Sequence, residues 1–223
     1  MYLFGSTYSI ASRRFAILLL CFFSLSIKAQ EQTYSDLLAG YEPPKLNVLK
    51  SSPLAAIISQ IPITAELRAM YERVLSPKQS TVVGISYLYP NFFFRDTLAK
   101  WNDSLGVNFK LNGLRLQAHQ RFYLLRYHDA PSGIFVGPQA SYSMVKLNNK
   151  GKRDDFVKVV YLNVNLIGGY QVVIGRFVFE AYTGIGYRDN YLVLGEYGQP
   201  DRTVEELNRG FKFTLATNIG FTF

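Results

Sequence analysis

The chain ends on a run in which bulky and small residues change places at every step. From Gly210 to Phe223, Phe211, Phe213, Leu215, Thr217, Ile219, Phe221 and Phe223 fall on one face of an extended strand. Gly210, Lys212, Thr214, Ala216, Asn218, Gly220 and Thr222 fall on the other, because strand side chains alternate with period two. A wet strand face normally carries Lys, Glu or Gln. Here the second face is small and mostly polar, which suits a crowded polar interior, while the bulky face suits an apolar surrounding. Such a division matches a barrel strand whose outside meets hydrocarbon. An edge strand of a soluble sandwich or lipocalin-like barrel could also carry it, so the weight falls on whether the pattern recurs.

It recurs along the chain. After a first strand from Lys45 to about Ser59, broken by Ser51-Ser52-Pro53, a second sets Ile61, Ile63, Ala65, Leu67, Ala69 and Tyr71 outward. Thr64, Glu66, Arg68, Met70 and Glu72 face inward. Ser80–Tyr89, Phe109–Tyr127, Ile134–Leu147 and Phe156–Val173 continue the alternation, and a seventh strand starts at Phe177. Pro138 in the fifth has no N–H to give a ladder, so a strand end or a bulge is expected there. With the C-terminal run the strands number eight, and the expected fold is all-β, an eight-stranded antiparallel up-and-down transmembrane β-barrel.

Connections are expected to alternate in length. Ser76–Gln79, His128–Gly133 and Ile174–Arg176 are short, whereas Pro90–Asn108, which holds Trp101, Asn148–Asp155 and Asp189–Asn208 are longer. Short turns belong at the periplasmic end of such a barrel and longer loops outside. The first external loop, near Ser59–Ile61, is expected to be short.

The N-terminus reads as an export signal. Arg13 and Arg14 precede the apolar run Phe15–Ile27, which is too short to span a bilayer, and Ala29 supplies a small residue. Residues 1–29 are expected to be a cleaved signal peptide, with cleavage after Ala29 or Gln30. Residues 30–44, with Tyr34, Tyr41, Pro43 and Pro44, make a periplasmic N-terminal arm, and residues 45–223 the barrel. Cys21 is the single cysteine, and Leu20 stands where a lipid-attachment motif needs a small residue. Cleavage leaves no cysteine, so disulfides, thiolate metal sites and thiol catalysis are excluded.

The final strand, closing on Phe223, resembles the C-terminal assembly signal of bacterial outer-membrane barrels. On that resemblance Phe211, Phe213, Leu215, Ile219, Phe221 and Phe223 form the signal, and the barrel assembly machinery is a partner during biogenesis. The chain from Lys45 to Phe223 is similar to small outer-membrane barrels of the OmpA/OmpX type. Ala29-Gln30, Tyr71-Glu72-Arg73-Val74-Leu75, Arg121-Phe122-Tyr123, Pro131 to Pro138 and Gly184-Ile185-Gly186-Tyr187 resemble uncharacterised barrels of Bacteroidetes. That resemblance implies a bacterial outer-membrane location. It brings no activity and no catalytic residues.

Composition narrows the partners. The formal net charge is +8, but Arg13, Arg14 and Lys28 belong to the signal, which leaves a modest excess suited to anionic envelope lipid and lipopolysaccharide. No basic block interleaved with aromatics points to nucleic acid. Sixteen Tyr and seventeen Phe supply the aromatic girdles of a membrane barrel, and some could serve as carbohydrate platforms. An envelope protein partner is a further expectation.

The inward face carries Glu66, Arg68, Glu72, Arg115, His119, Arg121, Glu180, Arg188 and Lys212. In a barrel of this size they form either a salt-bridged network filling the lumen or a proton or ion path through it. His119 is a packed histidine or the base of a lipid-modifying enzyme; His128 falls on the periplasmic side, away from an external lipid substrate. Asp201, Glu205 and Glu206 are a solvated acidic loop or a divalent-cation site. No phosphate loop, HExxH or paired metal-ligand spacing occurs. Neither catalytic residues nor a cofactor nor a metal is expected, and the chain is expected to act as a structural or surface-binding barrel, with a small pore as another reading.

Overall fold

The computed structural model describes residues 47–57, 59, 61, 63–105, 109–125, 129–149, 152–195, 202–204 and 210–223. The signal peptide, the arm, His128, Asp201, Glu205 and Glu206 lie outside them. The strands are β1 (Asn47–Ser51), β2 (Thr64–Ser76), β3 (Gln79–Pro90), β4 (Phe109–Tyr123), β5 (Gly133–Asn149), β6 (Lys152–Ile174), β7 (Phe177–Gly195), β8 (Arg202–Val204) and β9 (Gly210–Thr222). One helix, α1 (Phe92–Leu105), joins β3 to β4.

Each consecutive pair from β1 to β7 is antiparallel, β7 pairs with β9, and β9 returns to β1. Eight strands thereby close a ring with β8 as a short appendage on Leu192–Leu194 of β7. Closure removes the open sheet edge that would otherwise need a cover. Register keeps like faces together: Glu180 stands opposite Asn218, and Ile185 opposite Phe213. Along β9, Phe211, Phe213, Leu215, Ile219 and Phe221 are exposed while Thr214, Ala216, Asn218 and Thr222 are buried. The wall is apolar outside and largely polar within.

Several local expectations differ from what the chain does. The first strand is only Asn47–Ser51, because Pro53 begins a turn that leaves the wall. The first long-end connection therefore runs from Ser52 to Ile63 and is not short. Ile61 and Ala65, expected outside, are 1% exposed. Ile61 packs with Leu88, Leu111 and Val145, and the turn after β1 folds over β2, with Ala55 O accepting from Glu66 N at 2.7 Å. Val160 has the outward parity but is buried between its register neighbours Met144 and Tyr191.

The segment Pro90–Asn108 is mostly helix. Asn91 caps α1, its Oδ1 accepting from Phe94 N at 2.8 Å, and Phe94 meets Trp101 edge-on at 6.0 Å. β5 and β6 run on to Asn149 and from Lys152, so most of the expected loop Asn148–Asp155 is strand. β7 likewise extends to Gly195, and the fourth strand ends at Tyr123, not Tyr127.

Pro138 sits at neither a strand end nor a bulge. The β4–β5 ladder lapses between His119↔Gln139 and Phe122↔Val136 and resumes in the same register. Beside it, a Cβ on Gly137 would lie 1.8 Å from the carbonyl oxygen of Gln120, so the wall at the lapse admits only glycine without moving backbone.

The short β1 leaves a seam. Its last pairs are Lys50↔Met70 and Ser51↔Ile219, so Thr64–Ala69 of β2 and Gly210–Asn218 of β9 have no described strand between them. The turn after β1 bridges part of it, Ser51 Oγ donating to Arg68 O at 2.8 Å and Ser52 Oγ to Thr217 O at 2.7 Å.

Candidate functional site

Polar side chains concentrate inside the ring because every second residue of each strand must point there. Near the short-turn end they form a closed ionic cluster. β1 brings Lys50, β2 Glu72, β4 Arg121, β6 Gln171 and β7 Glu180, all 4% exposed or less. Arg121 grips Glu180 with two parallel bonds, Nη1 to Oε2 and Nη2 to Oε1, both 2.8 Å. Lys50 Nζ donates to Gln171 Oε1 at 2.8 Å and forms ion pairs with both Glu72 and Glu180.

Every carboxylate oxygen in the cluster has partners. Glu72 Oε1 accepts from Tyr123 Oη at 2.9 Å and from Ser80 Oγ, and its Oε2 accepts from Gln171 Nε2 at 3.1 Å. Asn218 Nδ2 adds a bond of 2.8 Å to Glu180 Oε1. Two cations thus face two carboxylates. The Arg121 guanidinium also lies 4.4 Å from the centre of the Phe135 ring, a cation–π contact that orients it. Burial of four charges is tolerable only with this degree of pairing.

Around it packs a less polar group. Phe135, Tyr182, Tyr123, Ile167, Ala130 and Ala216 pack together. His119 is 0% exposed and meets Tyr182 edge-on at 5.8 Å. Asn165 Nδ2 donates to Gln139 Oε1 at 3.2 Å, which leaves the Gln139 amide to donate to His119 Nε2 at 3.1 Å. The ring nitrogen available for chemistry is therefore already an acceptor within the wall.

Toward the long connections stands a second ionic group, and this one is unbalanced. Arg115 Nη1 bonds both oxygens of Glu66, at 3.1 and 2.9 Å, and its Nε donates to Ser143 Oγ at 2.7 Å. Arg68 forms an ion pair with the same carboxylate through Nη2. Two guanidiniums share one acid, and Arg68 Nε and Nη1 and Arg115 Nη2 are buried without a hydrogen-bond partner among the described residues. Nearer the rim, Arg188 Nε donates to Asn163 Oδ1 at 2.8 Å, with the guanidinium 5.2 Å from the Tyr161 ring centre. Lys212, half-buried, lines the seam with Glu66 and Arg68.

The structure thus divides the nine inward residues among two ionic groups, the less polar group and the rim. Glu72, Arg121 and Glu180 meet in the first group, Glu66, Arg68 and Arg115 in the second; His119 packs with the less polar group, and Arg188 and Lys212 lie near the rim. Sequence reasoning did not place Lys50 there, although the alternation Val48, Lys50 against Leu49, Ser51 carries its face. Tyr123 and Asn218 lie on faces read as inward but, like Gln171, were not assigned to the network, because neutral polar residues give no signal of their own. Among the described residues no group of three or more His, Cys, Asp or Glu could hold a metal ion. At the C-terminus, Phe223 exchanges backbone bonds with Asn47, 3.3 and 3.0 Å, and its side chain is exposed.

No family model matches the chain, and no curated protein matches it. Among solved structures it is similar to a major outer membrane protein from Thermus thermophilus, with a TM-score of 0.44 and 8% identity over 80% of this chain and 99% of that one. A likeness of that degree adds nothing to what the strand pairing and side chains give directly.

Proposed function

We propose that the chain is an integral outer-membrane β-barrel with a structural or surface-binding role and no catalytic one. The carrying observation is the outward band: Leu67, Ile85, Leu166, Ile185, Phe213 and Leu215 are each 51–67% exposed. So much apolar surface on a closed ring is costly in water and favourable in hydrocarbon. Among the described residues no helix is long and apolar enough to cross a membrane, so the strands are the elements that would span it.

The lumen serves as a plug in this reading. An eight-stranded barrel leaves room for little beyond its own side chains, and the Lys50–Glu72–Arg121–Glu180 cluster bridges four walls. Interactions then fall to the long-connection end, with α1 and the extended β5–β6 and β7–β8 hairpins as the surfaces offered to lipopolysaccharide or an envelope partner. During biogenesis the aromatic C-terminal strand is presented to the assembly machinery.

Gel migration of the detergent-extracted outer-membrane fraction, unboiled against boiled, tests the proposal. A membrane barrel shifts in apparent mass only after boiling. Recovery of the protein in the soluble fraction after osmotic shock would contradict it.

A further inference from the structure

We propose that the seam between β2 and β9 is a lateral binding site for one anionic amphiphile, an acyl chain bearing a carboxylate or phosphate head. The head group lies inside on Arg68 and the chain on the outer wall.

The seam is a stretch of wall where the turn after β1, bonded to Thr64, Glu66 and Arg68 of β2 and to Thr217 of β9, stands in place of a paired strand. Thr64–Ala69 and Gly210–Asn218 flank it, a height of about 20 Å at ~3.3 Å per residue. Phe223 and Thr217 direct their backbone groups toward β1 and the turn that follows it. Since backbone groups alternate sides along an antiparallel strand, Phe213 and Leu215 direct theirs to the same side, where no described strand stands opposite.

Two cavities lie beside it, and Arg68 lines both. One, of about 340 Å³, passes through the seam; its outer part is Leu54, Phe213 and Leu215 and its inner part Glu66, Arg68 and Lys212. The other, of about 840 Å³, is a groove along the outer wall lined by Leu67, Ile85, Tyr87, Phe179 and Ile219, and it reaches Arg68 at its inner edge. A headless anion has no use for the groove, and a neutral lipid has no use for the guanidinium.

Charge chooses the head. Glu66 is engaged by both Arg115 and Arg68, which leaves one net positive charge in that group. Arg68 is 3% exposed, and its Nε and Nη1 make no close hydrogen bond among the described residues, with the Tyr182 hydroxyl as their neighbouring polar group. Nη1 alone carries two N–H donors, and the oxygen of a carboxylate or phosphate is the acceptor that such a charged donor binds most strongly. Lys212 lines the same opening. An anion entering from the lipid side meets cations first and the apolar groove keeps its tail in hydrocarbon.

The inference rests on the membrane reading only for the source of the ligand, and that reading is tested separately by heat-modifiable migration. For the site, the barrel is purified in a neutral maltoside detergent, and each variant is first shown to migrate as folded. Native mass spectrometry then counts bound laurate or dodecyl phosphate per chain. The expected result is one saturable site for either amphiphile, weakened about tenfold or more in Arg68→Gln, as loss of a charged hydrogen-bonded pair implies. Lys212→Gln weakens it less, and Lys78→Gln, at the opposite end, leaves it unchanged. Should Arg68→Gln fail to fold, Lys212→Gln against Lys78→Gln decides. Equal binding by folded Arg68→Gln, no saturable binding, or displacement by inorganic phosphate at equal concentration would each overturn the proposal.

Discussion

Arg121 and Glu180 face each other across the barrel interior with two bonds of 2.8 Å, and neither side chain reaches solvent. β4 and β7 are not neighbours in the ring, so this pair ties two non-adjacent walls through the lumen. Lys50 from β1 and Glu72 from β2 complete the tie.

Removing one member of that tie strands the others. Glu180→Gln leaves Arg121 and Lys50 with Glu72 alone, and the expected loss is about 3–5 kcal/mol, typical of breaking a buried pair from one side. Reversible urea unfolding in phospholipid vesicles measures it. A loss below about 1 kcal/mol would mean that water reaches the cluster.

The outer face makes a depth-dependent prediction. Leu215→Arg, mid-strand and 60% exposed, is expected to cost about 2–4 kcal/mol in lipid, whereas Phe211→Arg near the strand end, 97% exposed, is expected to cost about 0–1 kcal/mol. Equal costs measured in vesicles would remove the hydrocarbon gradient from the account.

Much of this arrangement was legible because a period of two carries both the face and the strand. Leu67, Phe179 and Leu215 needed nothing more. Ile61 and Ala65 were misplaced because alternation says which way a side chain points, not whether a later turn covers it. The helix α1 was missed through attention to polarity, although Asn91 as a cap and Phe94, Leu98, Trp101 and Leu105 at helical spacing signal it. The seam was not legible at all: it depends on where β1 stops relative to its two partners, a property of register.

Wall closure at the ladder lapse gives a sharper contrast. Gly137→Ala places a methyl group against the Gln120 carbonyl and is expected to destabilise the barrel by about 1–3 kcal/mol. Gly210→Ala, with nothing within 4 Å of the added carbon, is expected to be near neutral. Thermal melting in one detergent compares the two.

A plugged lumen predicts the absence of steady ion flow. Planar bilayers containing the purified barrel should show no stepwise conductance, since the Lys50–Glu180 and Arg121–Glu180 bridges occupy the cross-section. Uniform, reproducible steps would assign the inward charges to an ion path instead.

If the barrel spans a membrane, β9 has one face in lipid and one in the lumen. Because Cys21 is the only cysteine in the chain and falls in the expected signal, single cysteines can be placed from Phe211 to Phe221 in the cleaved protein and spin-labelled in vesicles. Collision with dissolved oxygen is expected to be high at 213, 215, 217 and 219 and low at 214, 216 and 218. A water-soluble nickel complex is expected to reach none of the odd positions near the middle. Odd positions open to the nickel complex would place that face in water and contradict the account.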